Sequence, residues 1–121
     1  MNLELFTCPC CGYVGLNARP YARLPRHSIV RGLTPPYADH FGLASYEVCH
    51  CCGFEFGNDD DPGTAAGESF EQFLTDWVSD GCKWFQPDER PDDWDLERQL
   101  RGSRTIDASS TAINDISERE R

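Results

Sequence analysis

Two short stretches, "CPCCGY" at Cys8–Tyr13 and "CHCCGF" at Cys49–Phe54, hold six of the seven cysteines in this 121-residue chain. Within each, two cysteines stand in C-x-x-C spacing, Cys8 with Cys11 and Cys49 with Cys52, followed by a glycine and an aromatic residue. That spacing suits a knuckle: a tight turn places both sulfurs on one side, and its backbone N–H groups donate to the thiolates. The following glycine relieves the steric cost of turning back into a strand. Two knuckles supply four thiolates, a set that closes tetrahedrally around zinc at about 2.3 Å per bond. Cys8, Cys11, Cys49 and Cys52 are therefore the expected metal ligands, with zinc the expected metal and iron the less favoured one.

A disulfide framework fits less well. An odd cysteine count cannot pair off within one chain. No basic segment followed by an apolar run opens "MNLELFTCPC", so a reducing cytoplasm is the expected compartment. No apolar stretch approaches the roughly 20 residues of a membrane span. The 37 residues between Cys11 and Cys49 exceed the roughly 15–20 of compact zinc modules. Closure entropy grows only logarithmically with loop length, so a metal can still close that gap.

Cys10 and Cys51 should point away from such a metal as small, partly buried side chains, and Cys82 should pack as a buried thiol. His27 and His40 are not expected ligands. A closed four-thiolate site offers no position for water or substrate, so catalysis is not expected. "GNDDDPG" lacks the carboxylate spacing of a calcium loop and reads as a solvated turn.

The elements around the clusters differ in legibility. "GESFEQFLTDWVSDG" sets Phe70, Phe73, Leu74, Trp77 and Val78 on one helical face. Ser69 and Gln72 form a capping box at its start, and Gly81 is a natural stop. "DWDLERQLR" predicts a shorter helix begun by Asp92 or Asp95 and ended by Gly102. "SYEVC" and "FEFG" should be strands entering and leaving the second cluster. The Pro-, Gly- and Arg-rich stretch at about 17–45 shows no sustained period and reads as an inserted loop with a short turn near Pro36–Phe41. The expected architecture is α+β: a small zinc ribbon of paired knuckles with short β-hairpins, packed with one or two C-terminal helices. It occupies residues 1–102 as one domain, with a polar, flexible tail at 103–121.

Together "CPCCGY", "SYEVCHCCGFEFGNDDD", "SFEQFLTDWVSDGCKWFQP" and "WDLERQL" resemble a group of small bacterial cysteine-rich proteins of the CPCC type, over about residues 6–101. Two features depart from that pattern: His50 where proline is usual, and the long loop. Genes of this type often sit among those of polymorphic toxins. The resemblance therefore implies, by association, an immunity protein that neutralises a cognate toxin.

Charge agrees with a protein partner of opposite sign. Residues 59–101 carry thirteen acids against four bases, most of the chain's net charge of −10. Such a field attracts cationic partners and repels phosphate backbones, so nucleic acid is a disfavoured partner. Asp59, Asp60, Asp61, Asp92 and Asp93 are the expected contacts, or else the Arg-bearing loop from Arg19 to Arg31. The competing expectations are a rubredoxin-like electron carrier and a zinc-ribbon nucleic-acid-binding or adaptor protein.

Overall fold

The computed structural model describes residues 5–107, Thr64 excepted. Its first unit is the hairpin of β1 (Phe6–Thr7) and β2 (Val14–Leu16), antiparallel, with Phe6 opposite Leu16 and Thr7 opposite Val14. The first knuckle forms the bend. There the Cys8 N–H donates to Tyr13 O at 2.8 Å and the Gly12 N–H to Cys8 O at 2.9 Å. The second knuckle repeats this geometry, with Cys49 N–H to Phe54 O and Gly53 N–H to Cys49 O, both at 2.9 Å. Gly12 and Gly53 both have φ +86°, a left-handed conformation that a Cβ would strain. That is why glycine follows each second cysteine.

The strands expected around the second knuckle reduce to one antiparallel bridge, Val48 to Glu55. Tyr46 explains the shortening, because its φ of +64° bends the chain out of the extended conformation. The α2 helix (Phe70–Ser79) forms as its periodicity predicts, burying Phe70 and Trp77. Ser69 Oγ accepts from the Gln72 N–H at 3.1 Å, while the Gln72 side chain reaches forward to Asp76. Val78 departs from the expected apolar face and lies 43% exposed. A short 3₁₀ turn at Pro87–Glu89 precedes α3 (Leu96–Arg101), which is capped by Asp95 through the Arg98 N–H.

The expected inserted loop is part of the core. It contains β3 (Ser28–Val30) and α1 (Ala38–Phe41), and its ends meet at an antiparallel bridge between Tyr21 and Ala44. Tyr21, Leu24, Val30, Tyr37 and Phe41 are all buried. Tyr37 stacks flat on Phe70 at 3.9 Å between centroids, joining this segment to α2. These apolar residues are spaced without a period, so pattern alone does not reveal them.

The domain also extends past residue 102. β4 (Arg104–Ile106) pairs in parallel with β3, Ser28 opposite Arg104 and Val30 opposite Ile106. The rest of the expected tail, 108–121, lies outside the described residues. Fold class stands as expected: small α+β, with short hairpin-like elements, three α-helices among the described residues and a cysteine cluster.

One predicted surface contact is wrong. Asp60, expected as a partner-binding residue in a solvated turn, is 1% exposed. Its carboxylate accepts from the Tyr21 hydroxyl (2.9 Å), the Tyr37 N–H (2.9 Å) and the Gly57 N–H (2.8 Å). Three converging donors replace the water a carboxylate loses on burial, and they tie the loop segment to the second knuckle. Burial first, and then the Asp60 charge, push the Tyr21 hydroxyl pKa well up, so it stays a donor across the neutral range.

Asp60→Ala should strand these donors and destabilise the domain by about 3 kcal/mol or more, whereas Asp61→Ala, at an exposed position, should cost little. Denaturant midpoints of the two variants check this, and equal midpoints would remove Asp60 from the core's support.

Candidate metal centre

The four cysteines of the two C-x-x-C pairs converge. Their Sγ atoms all lie within 4.8 Å of one another, and the residues are 0–5% exposed. Cys8 Sγ stands 3.9 Å from Cys52 Sγ, and Cys11 Sγ 3.7 Å from Cys49 Sγ. A tetrahedron with metal–sulfur bonds of about 2.3 Å has edges of about 3.8 Å, so the donor set has the size of a four-thiolate metal cage. A backbone N–H at each turn donates to the first sulfur of its knuckle, Cys10 to Cys8 and Cys51 to Cys49, both at 3.4 Å.

Electrostatics argue in the same direction. Burial pushes the Cys8, Cys11 and Cys52 thiols well up. At Cys49 burial also raises the pKa, but hydrogen bonds from Cys11, Cys52 and Cys8 outweigh it and hold this thiol well down. Burial thus opposes ionisation at three of the four thiols. A divalent cation supplies the charge that lets all four ionise, at the cost of releasing protons.

The middle cysteines face elsewhere and are fully buried, more so than expected. Cys10 Sγ donates to Phe70 O at 3.4 Å, fastening the first knuckle to the start of α2. Gln99 of α3 donates to Cys11 O at 2.9 Å and to Cys51 Sγ at 3.7 Å, so one side chain touches both knuckles. Arg31 donates to Pro9 O (3.2 Å) and Cys10 O (2.8 Å), and the Phe85 and Gln86 N–H groups donate to Cys51 O and His50 O, each at 2.9 Å. Cys82, expected to be buried, is half-buried in a left-handed turn at φ +55° and stands apart from the cluster. His27 bonds Thr7 Oγ1 and His40 bonds Thr34 O, each at 2.8 Å; neither joins the cage. His50 instead meets Glu89 at 3.0 Å, an acceptor that Tyr13 shares at 3.0 Å.

The acidic half is largely surface. Of the thirteen acids in residues 59–101, Asp60 is the buried one. Asp61, Asp92 and Asp93 are exposed, and Asp59 is half-buried with its carboxylate accepting from the Glu55 N–H. Asp93 sits 3.9 Å from Arg98, an exposed pair of small energetic weight. On the open side of α2, Glu68, Asp76 and Asp80 line a depression with Phe73 and Trp77. Partial burial, then Asp76 and Asp59 nearby, raise the Glu68 pKa above its usual 4.5. Among the described residues no helix is long and apolar enough to cross a membrane.

Fold and site together define a small α+β, zinc-ribbon-like protein with a buried four-cysteine cluster able to hold a metal ion. Comparison with known proteins adds little to that class. The chain is 23% identical over 100 residues to the uncharacterised protein YozI of Bacillus subtilis (strain 168), covering 74% of this chain and 70% of that one. No family model and no solved structure matches.

Two outcomes test the centre. Cys49→Ser should lose both the metal and the cooperative fold, because structural sites of this kind contribute about 10–16 kcal/mol. Cys10→Ser, whose hydroxyl can still donate to Phe70 O, should keep one metal per chain. Metal content by elemental mass spectrometry and far-UV circular dichroism measure both, and loss of metal from Cys10→Ser alone would redraw the ligand set.

A second prediction concerns Glu68. Its folded pKa lies above the unfolded one, so the folded state binds more protons between the two values and stability falls as pH rises through that window. Glu68→Gln should therefore stabilise the domain at neutral pH, the gain closing as pH falls toward 4.5. Thermal midpoints between neutral and mildly acidic pH decide it.

Proposed function

We propose that this chain is a zinc-stabilised, non-catalytic protein-binding module whose acidic surface takes a cationic protein partner, in the manner of an immunity protein that blocks a toxin. The observation that carries the reading is the separation of the two chemistries. All four thiols lie inside, with no position left over for a substrate, while twelve of the thirteen acids of residues 59–101 reach the surface. A buried clamp supports the fold, and a surface of one sign steers an oppositely charged partner at long range. Asp61, Asp92 and Asp93 are the contact residues retained from the sequence, with Asp59 at their edge. Asp60 is withdrawn.

Three of the four arginines in the loop are engaged within the fold, which leaves exposed Arg23 too little for a basic footprint by itself. Arg31 is held on the knuckle carbonyls, Arg19 donates to Leu24 O, and Arg19 and Arg26 both lie over the Phe6 ring, at 5.1 and 5.0 Å. This supports a protein partner over nucleic acid, whose binding needs exposed cations. Zinc is the metal of the proposal. Iron in the same cage would make the chain an electron carrier instead, and the absorption spectrum separates them, because iron tetrathiolate is coloured and zinc is not.

The test is co-expression with the product of the adjacent upstream gene as the candidate toxin. Growth should be restored and the two proteins should co-elute; if the chain neither binds nor protects, the immunity reading falls. Reversing Asp92 and Asp93 to lysine should slow association roughly tenfold at low ionic strength, with the difference shrinking as salt is raised.

A further inference from the structure

A second surface feature shares no lining residue with the depression beside α2, though Trp77 of the one packs on Trp94 of the other at 5.9 Å. Between the first knuckle and α3 runs a groove of about 360 Å³, walled by Tyr13, Val14, Trp84, Pro91 and Trp94, with Asp93, Asp95 and Arg98 on its lining. The aromatic walls are braced edge to face. Tyr13 meets Trp84 at 5.5 Å and 86°, and Trp84 meets Trp94 at 5.6 Å and 87°. Rings held this way form a rigid apolar floor that costs little conformational entropy to use.

Within that floor one polar atom has no partner. Trp77 Nε1 donates to Lys83 O at 2.8 Å and Trp94 Nε1 to Gln99 Oε1 at 2.9 Å. Trp84, 6% exposed, has a buried Nε1 without a hydrogen-bond partner. Buried donors are ordinarily satisfied, and an exception in a groove wall points to an acceptor brought from outside.

The surroundings say what kind of ligand carries that acceptor. From 88 to 101 the chain presents Asp88, Glu89, Asp92, Asp93, Asp95 and Glu97 against Arg90, Arg98 and Arg101, all of them exposed, a surplus of acid that remains although Arg98 lines the groove 3.9 Å from Asp93. The chain also shows the matching chemistry in its own sequence. Arg90 lies over the Trp94 ring at 5.5 Å while its neighbour Pro91 forms part of the groove wall, so an Arg-Pro pair already packs against this aromatic surface. Polyproline-type segments have no internal hydrogen bonds, so their carbonyls are free to accept, and aromatic-lined grooves are where such segments dock.

We infer that this groove is the docking site for an extended segment of the partner protein, one that carries proline beside an arginine or lysine. The proline rings lie on Tyr13, Trp84 and Val14. A main-chain carbonyl takes the Trp84 Nε1–H, after a side-chain adjustment of the size common on binding. The basic side chain faces Asp93 and Asp95, sharing Asp93 with Arg98, whose exposed 3.9 Å pair is weak enough to give way. The inference deepens the protein-binding reading and rests on it, by naming where a cationic partner is gripped.

The test uses the metal-loaded full chain and an acetylated, amidated peptide of one arginine between two proline pairs. Controls are the same peptide with glutamate for arginine and a third with glycine for every proline. Tryptophan emission should change saturably with the first peptide, and each control should bind at least about tenfold more weakly. In a two-dimensional NMR spectrum the Trp84 indole N–H signal should move, while that of Trp77 stays. Val14→Lys and Asp93→Lys, both at exposed positions, should each weaken binding about threefold to tenfold with the fold intact.

No saturable change, equal binding of the glutamate peptide, or a shift at Trp77 in place of Trp84 overturns the inference. Toxin protection without peptide binding overturns the groove and leaves the immunity reading. Peptide binding without protection supports the groove and removes the toxin.

Discussion

Everything else in this domain depends on bringing two thiol pairs together across 37 intervening residues. Closing a loop of that length costs on the order of 4 kcal/mol in chain entropy. Structural zinc binding in small modules contributes about 10–16 kcal/mol, so a metal offsets the closure several times over. The apolar core alone has less in hand, since β1, β2, β3 and β4 are two or three residues each and pair only two at a time. The clamp also spreads its order outward. Knuckle carbonyls hold Arg31, Gln99 and the 85–86 backbone, and Cys10 holds the start of α2. The non-ligand cysteines are therefore joints between the clamp and the helices.

Asp60 is the second node. It draws donors from Tyr21, Tyr37 and Gly57, and so connects the long segment between the knuckles to the chain leaving the second one. Burial pushes the Tyr37 hydroxyl pKa up to about 12, with Glu71 and Asp60 adding to the rise. That hydroxyl accepts from the Phe70 N–H at 3.0 Å, an otherwise unpaired donor at the start of α2. A single buried carboxylate and two tyrosines thus carry polar continuity from the loop to the helix. An acidic chain keeps one of its charges inside because three donors there outweigh the water it gave up.

What could be read from the sequence follows from what has a local cause. The ligands, Gly12, Gly53, the Ser69 cap and the Asp95 cap each depend on residues within a few positions, so spacing and residue type reveal them. α2 depends on a 3.6-residue period and was equally legible. The core contribution of Tyr21 and Tyr37, the β3–β4 pairing and the Tyr13–Trp84–Trp94 wall depend on partners 10 to 76 positions away, with no repeating interval to announce them. Asp60 was misread for a related reason. Three identical aspartates in a row have identical local propensities, and only the fold decides which one turns inward.

The clamp and the exposed chemistry are two sides of one constraint. A domain stabilised mainly by apolar burial must hide its large aromatics to stay folded, and a dense field of like charge works against compaction. This chain buries most of its large aromatics, Tyr21, Tyr37, Phe54, Phe56 and Phe70 among them, but not all. It leaves Phe85 57% and Tyr46 59% exposed, walls an open groove with Tyr13 and Trp94, and concentrates its acids in residues 59–101. Such a surface is tolerable when a metal contributes stability independently of apolar area and of surface charge. The same independence sets a limit, because removing the metal withdraws support from the groove and the acidic surface together. In the proposed role, partner binding would therefore be coupled to metal occupancy, even though none of the proposed contact residues belongs to the four-cysteine cluster.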